Sequence, residues 1–347
     1  MRILAAVTVL INHCFPLLGY VEPLGDMLGL TLGTISVDVF FVTSGFLVTG
    51  SLLAKKSAFE YICSRVLRIY PALIVVTLFS VFIIGTSLSD LPLATYLPHP
   101  QTLHFLISDA TVLAGIEMNL PGLFADRPFT AVNGSLWTLV YEMKMYLLLL
   151  LVWAVSAKQT RGTIRTWFRV ENILLGLCLS SGLMLVIKSC LGDEAGHLNR
   201  FIFLFFSGAS FYSFKKYIPL SHRIFLCIVV TAGIAFLFGK TVFSMLVCLA
   251  IPYTVLYLAF IPNGIIRQFN KMGDYSYGVY IYAFPIQQSI GAIYPKISVS
   301  QLAISSLTLT FIMAAFSWHV IEKPVLSNKN RTIESLQWLL ARLTLRA

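Results

Sequence analysis

The stretch IYPALIVVTLFSVFIIGTSL, Ile69 to Leu88, decides the fold. It carries no charged residue, and at 1.5 Å per residue a helix of this length approaches the ~30 Å hydrocarbon core of a bilayer. It lacks the strict alternation of a barrel strand, and in lipid a helix satisfies its own backbone hydrogen bonds. A second run, LWTLVYEMKMYLLLLLVWAV from Leu136 to Val155, has the same length. Working outward from these two, further apolar segments fall near 3-20, 33-54, 172-190, 199-214, 222-239, 242-261, 274-294 and 299-321. The whole chain is 57% hydrophobic and 12% charged, with a mean hydropathy of +0.82. A water-soluble fold has nowhere to hide that much apolar surface. The expected class is all-α: a polytopic integral membrane protein of about ten transmembrane helices.

One further stretch, His104 to Ile116, is short and carries Asp109. Read as re-entrant or peripheral, it leaves four basic clusters on one side: Lys55, Lys56, Arg65 and Arg68; Lys158, Arg161, Arg165 and Arg169; Lys215, Lys216 and Arg223; Arg267 and Lys271. The basic tail joins them. The positive-inside rule then puts both termini in the cytoplasm. The excess of 25 basic over 15 acidic residues is thus a topology signal, not a nucleic-acid surface, and no nucleic-acid partner is expected. Acids such as Glu22, Asp90, Glu117, Asp193 and Glu194 fall on the other side, as does the long, proline-bearing segment Ser89 to Gly134, which is long enough to do something. The first apolar segment follows Met1 and Arg2 without a cleavage signature and reads as a retained helix. Residues 1-325 read as a single transmembrane domain and 326-347 as a short basic cytoplasmic tail.

Ionisable groups inside spans are costly and usually face a cavity or a partner. Arg2 and His13 fall on one helix face about 16 Å apart along the axis. Taken singly, Arg2 reads as a topology arginine and His13 as an interhelical hydrogen-bonding group; together they say more. Asp38, in an apolar run, needs a cation or donor, and His13 is one available partner. Ser44-Gly45 suits close approach of a ligand or, equally, tight helix packing. Arg65 and Arg68, three residues apart, share a helix face that would grasp a phosphate-rich ligand or, equally well, anionic lipid. Glu142 sits one turn from both Thr138 and Tyr146 and must be paired, protonated or wet. His319 and Glu322 read as topological, and His99, His104, His197 and His222 receive no role. No metal-ligand spacing, phosphate-cradling glycine loop or nucleophile elbow occurs.

Six patterns in order carry a resemblance: Arg2-x10-His13; Asp38-Val-Phe-Phe-Val-Thr-Ser44-Gly45-Phe46; Arg65-x2-Arg68-x2-Pro71; Asn133-x3-Trp137-Thr-Leu-x2-Glu142-x3-Tyr146; Gly273-Asp-Tyr-Ser276-Tyr277-Gly278-Val-Tyr280; and Glu322-Lys-Pro324. Each is weak alone, but as a set they resemble the membrane acyltransferases of family 3, which include O-acetyltransferases of bacterial surface polysaccharides. The resemblance implies a ten-helix body in the bacterial cytoplasmic (inner) membrane. It also implies an acyl-CoA donor, usually acetyl-CoA, and a hydroxyl acceptor on an extracytoplasmic or lipid-linked glycan such as O-antigen or exopolysaccharide. His13 would be the essential histidine, Arg2 its arginine partner, Arg65 and Arg68 the cytoplasmic basic pair, and Glu142 the carboxylate of the tryptophan motif. The family usually carries a short leader before that arginine, whereas Arg2 follows Met1 here. Ala283 stands where a histidine often occurs, so no role for that histidine transfers.

On this reading His13 acts as general base or transient acyl carrier, with Asp38 or Glu142 orienting it. Arg2, Arg65, Arg68, Ser44 and Gly45 serve the donor, while Asn133, Trp137 and Tyr146 serve the acceptor. The expected partners are the bilayer, acyl-CoA and a glycan or lipid-linked oligosaccharide, with no metal. A lipid-linked glycan flippase, which needs no thioester, and a non-catalytic membrane sensor are the competing classes.

Overall fold

The computed structural model describes residues 1–112, 115–158, 169–193, 196–262 and 273–344. Arg161, Arg165, Glu194, Arg267 and Lys271, used in the topology reading, and Arg346 of the basic tail lie outside the described residues. Each predicted apolar segment is helical, and no strand occurs among the described residues. Six helices there are long and apolar enough to cross a bilayer: Leu32–Lys55, Ala58–Leu88, Gly134–Ala157, Val170–Leu191, Lys240–Phe260 and Val299–Ser327. The protein is an all-α, polytopic membrane protein.

The chain forms two compact units, Met1–Ala54 with Trp137–Gly273, and Lys55–Leu136 with Asp274–Ala347. The first unit contains α1 (Arg2–Leu17), α2 (Pro23–Leu28) and α3 (Leu32–Lys55, whose last residue begins the second unit). The second unit then supplies α4 (Ala58–Phe79), α5 (Thr86–Leu88), α6 (Leu93–Tyr96) and α7 (Pro100–Thr111). The first resumes with α8 (Trp137–Lys158), α9 (Val170–Leu191), α10 (His197–Ser213), α11 (His222–Phe236) and α12 (Lys240–Phe260). The second closes with α13 (Ser276–Ile293), α14 (Val299–Phe316), α15 (Lys323–Ser327) and α16 (Lys329–Thr344).

In the first unit α9 packs along α10, and α11 along α12. Where α3 meets α10, a side chain on Gly45 would collide with the Phe205 carbonyl, and one on Gly208 with the Val42 carbonyl. Small residues at that crossing let two backbones touch, the usual device for packing helices in lipid, where the hydrophobic effect gives no drive. In the second unit α13 packs along α14, and α4 against α7. A capping box starts α14: the Gln301 N–H donates to Ser298 Oγ at 3.3 Å, and the Ser298 N–H to Gln301 Oε1 at 3.0 Å.

The segment between α5 and α8 forms a lobe whose Tyr96, Phe105, Leu120, Leu123, Phe124 and Val132 are buried together with Val81 and Ile84, which precede α5. A wide helical turn, Ser80–Gly85, extends α4, and the Tyr96 hydroxyl donates to the Val81 carbonyl within it at 3.1 Å. At 12 residues α7 is about 18 Å long, short of a span, and it ends on Val112 in the left-handed region (φ 60°).

Asp109 of α7 is fully buried in this lobe. One carboxylate oxygen accepts the Glu117 N–H at 2.8 Å, and the other has no hydrogen-bond partner among the described residues. Burial drives its pKa up to about 8; the Glu117 N–H opposes the rise and the Glu117 charge adds to it. A carboxyl whose folded pKa is raised favours the fold while protonated. Its contribution is complete below pH ~4 and is lost as pH climbs through about 8. Hydrogen exchange of the 115–132 backbone should therefore be slower at pH 5 than at pH 9, after correction for intrinsic rates. Asp109→Asn should flatten that difference; an equal difference in the variant would show that Asp109 is not its source.

Candidate active site

In the first unit α1 carries Arg2 and His13. The Arg2 guanidinium lies over the Phe40 ring of α3, 5.7 Å from its centre. His13 is half-buried, and its neighbour Asn12 sets the rotation of the helix: the Gly33 N–H donates to Asn12 Oδ1 at 3.0 Å. A side chain at Gly33 would press on that amide, so the contact needs glycine.

Two carboxylates of this unit, Asp38 buried and Glu142 half-buried, are held in different ways. Asp38, with no exposed surface, takes both nitrogens of a guanidinium fork from Arg200 of α10, Nε to Oδ1 at 2.9 Å and Nη2 to Oδ2 at 2.5 Å. Charge meets charge in the bidentate geometry that suits arginine and carboxylate. Glu142 of α8 instead accepts from hydroxyls: Ser44 Oγ donates to its Oε1 at 3.1 Å, and the Tyr146 hydroxyl donates to the same oxygen. The Ser44 and Tyr146 hydroxyl oxygens lie 3.0 Å from one another, so two protons serve three contacts. Ser44, Glu142 and Tyr146, given separate tasks from the sequence, form one cluster. Trp137, at the start of α8, packs edge-on against His197 at 4.8 Å and beside Tyr141 and Phe201, and Phe201 in turn stacks on Phe41 at 4.0 Å.

In the second unit Arg68 is spoken for. Its Nη2 meets Asp274 Oδ2 at 2.5 Å and its Nη1 meets Glu322 Oε2 at 2.9 Å. The rings of Tyr277 and Trp318 flank the guanidinium at 5.6 and 5.9 Å. Glu322 is almost fully buried at the end of a second wide turn, Ser317–Glu322, where Ser317 Oγ donates to its free oxygen at 3.1 Å. Ser276 Oγ likewise donates to Asp274 at 2.5 Å. Glu322, read from the sequence as topological, is thus a ligand of Arg68, and three of the six patterns converge on this one guanidinium. Arg65, one turn earlier, is half-buried.

Asn133 is buried and its Nδ2 donates to the Ile281 carbonyl at 3.0 Å. That carbonyl lies four residues before Pro285, which has no N–H to give it, so Asn133 supplies what the proline removes. Tyr280 and Gln288 extend the same seam: the Tyr280 hydroxyl donates to the Ser135 carbonyl at 2.8 Å, and Gln288 Nε2 to the carbonyls of Phe129 and Ala131 at 2.6 and 2.8 Å. The groups that sequence reasoning missed are Arg200, Asp274 and the ligand role of Glu322. An arginine at the mouth of a span and acids near a span's end both look like topology charges.

A family described as the acyltransferase domain matches residues 1–321. An O-acetyl transferase of Shigella phage Sf6 is 27% identical over 348 residues, 95% of this chain and 95% of that one. The peptidoglycan O-acetyltransferase OatA of Listeria monocytogenes is 24% identical over 343 residues, 85% of this chain but 52% of that longer one. Nodulation protein 10 of Rhizobium leguminosarum bv. viciae is 29% identical over 168 residues, 44% of this chain and 43% of its own. No solved structure gives a significant match. The family match takes in α1 with His13, the Ser44, Glu142 and Tyr146 cluster, and Arg68 with Asp274, which leaves one conclusion: the chain belongs to the acyltransferase-domain family and is a membrane acyltransferase.

Proposed function

We propose that this acyltransferase moves acetyl from cytoplasmic acetyl-CoA to a hydroxyl of a cell-surface or lipid-linked polysaccharide, O-antigen or exopolysaccharide. It would work in the bacterial cytoplasmic membrane with about ten spans and both ends inside. The phage relative, named an O-acetyl transferase, supports the acetyl group, and the Listeria relative, whose name specifies peptidoglycan, supports a glycan acceptor.

The observation that carries the chemistry is the contrast between the two carboxylates. Asp38 already answers the charge of Arg200, whereas Glu142 is held by the hydroxyls of Ser44 and Tyr146. Glu142 is therefore the carboxylate suited to answer a charge that develops during the reaction, and His13 is the group on which it would develop. His13 takes the proton from the acceptor hydroxyl as its oxygen attacks the thioester carbonyl. The carbon–sulfur bond breaks, and the departing thiolate receives that proton, giving an acetyl ester and free coenzyme A. Arg2, on the helix that carries His13, serves the donor's phosphates. Trp137 and its aromatic neighbours offer apolar faces to a sugar ring.

Membrane vesicles containing the protein, supplied with acetyl-labelled acetyl-CoA, should place label in the membrane glycan fraction. Glycan that moves across the vesicle membrane without gaining label would overturn this reading in favour of transport.

A further inference from the structure

α8 carries a charge that its packing does not explain. Lys144 lies two turns into the helix, about 10 Å along the axis from Trp137, and is exposed. Among the described residues it has no ion pair; its ammonium lies over the Tyr141 ring, 5.2 Å from the centre. A lysine stem leans toward the start of its helix, so Lys144 reaches back one turn rather than onward. A lone charge at this depth is costly, and a tyrosine face offsets only part of that cost. The ammonium is therefore open to an anion that arrives through the bilayer. Its reach ends on an aromatic platform. Trp137, Tyr141 and Lys144 repeat at i, i+4 and i+7 and form one stripe of α8, next to the face that carries Glu142. Tyr141 packs edge-on against Trp137 at 5.7 Å, and Trp137 against His197 at 4.8 Å. His197, the first residue of α10, stacks on Phe201 at 6.0 Å and is exposed, so the platform joins an indole face to an imidazole that can exchange hydrogen bonds. Phe41 and Trp137 meet Phe201, whereas Phe46 meets Tyr212 and Tyr146 meets Phe205, so α3, α8 and α10 run in one direction. Lys215 and Lys216 follow the far end of α10. In the topology proposed above those lysines are cytoplasmic, and the platform faces the opposite surface.

We propose that Trp137, Tyr141, Lys144 and His197 form an acceptor site that takes a glycan still joined to its polyprenyl diphosphate. The sugar lies on Trp137 and His197, a phosphate meets Lys144, and the prenyl chain stays in the bilayer. This rests on the function proposed above and narrows it: the acceptor is a membrane-bound intermediate rather than finished polysaccharide. An uncharged sugar on a released polymer would leave Lys144 as bare as it stands.

The test uses the full-length protein in phosphatidylcholine nanodiscs and reads retained lipid by native mass spectrometry. The probes are undecaprenyl diphosphate, undecaprenol and phosphatidylglycerol. Lys144→Gln should weaken retention of the diphosphate about tenfold, a difference of ~1.4 kcal/mol, and leave undecaprenol unchanged. Lys144→Arg should keep the diphosphate, as should Lys240→Gln, which removes the same charge from an exposed position at the start of α12. Unchanged diphosphate retention in Lys144→Gln, with wild-type melting behaviour, overturns the site. A matching loss of phosphatidylglycerol overturns it too, because Lys144 would then hold any phospholipid. In the transfer assay His197→Ala should raise the KM for lipid-linked glycan about tenfold, and His197→Gln, which keeps a hydrogen-bonding group, should raise it less; an unchanged KM removes His197 from the site. Should Lys144-dependent retention hold while no acetyl reaches glycan, the proposed reaction fails and the diphosphate site stands. Labelled glycan together with Lys144-independent retention gives the reverse.

Discussion

His13→Ala is expected to lower transfer of labelled acetyl to glycan by about 10²–10⁴-fold, the contribution typical of a positioned general base, while the protein inserts and accumulates as the wild type does. The second half of that expectation follows from how α1 is held. Its docking uses the fully buried Leu10 and Cys14 and the Asn12 contact with Gly33, all of which survive the substitution. His13→Gln, which keeps much of the volume and some hydrogen-bonding capacity, should be equally inactive, because an amide cannot take up the proton. Transfer within tenfold of wild type in either variant would remove His13 from the chemistry. Glu142→Gln should fall between the two extremes, since Ser44 and Tyr146 could still bond to the amide oxygen but the negative charge would be gone.

Arg200→Ala is expected to be the most damaging single change to stability, at about 3–5 kcal/mol, read as loss of abundance and a lowered melting midpoint in detergent. Asp38 has no exposed surface and takes both of its charge-assisted hydrogen bonds from that guanidinium. Without Arg200 it must either keep an uncompensated charge in the bundle or take up a proton. The pair Asp38→Asn with Arg200→Gln removes both charges and should recover much of the loss, so the two sites should be strongly non-additive. Additive losses, or a stable Arg200→Ala, would show that the ion pair does not hold α3 to α10. Activity of the recovered double variant then separates support of the fold from chemistry: retained turnover would leave Glu142 as the carboxylate that acts.

Apolar length was legible because it is a local property. The run from Ile69 to Leu88 announces a helix from composition alone, and the Asp109-bearing stretch after His104 belongs to a helix of only 12 residues, Pro100–Thr111. Which helix faces which is not a local property. The partner of Asp38 is 162 residues away, and the ligands of Arg68 are 206 and 254 residues away. A helical period fixes a residue's face but carries no information about the neighbour on that face. For the same reason Ser44-Gly45 could be read two ways until Phe205 was seen against Gly45, and Asn133 gave no hint of Ile281. The resemblance named candidate residues one by one; it did not reveal that Ser44, Glu142 and Tyr146 share a single cluster.

The amide of Asn133 also imposes an order on change. While Pro285 is present, losing Asn133 strands the Ile281 carbonyl in a buried seam, at a cost of about 1–3 kcal/mol. If Pro285 is replaced first, the new N–H can return to Ile281 along the helix and the amide becomes dispensable. Descent from this sequence thus has a passable route and a blocked one: position 285 can drift ahead of position 133, but 133 cannot readily lead. Among descendants, chains with the proline and no amide should be the rare combination.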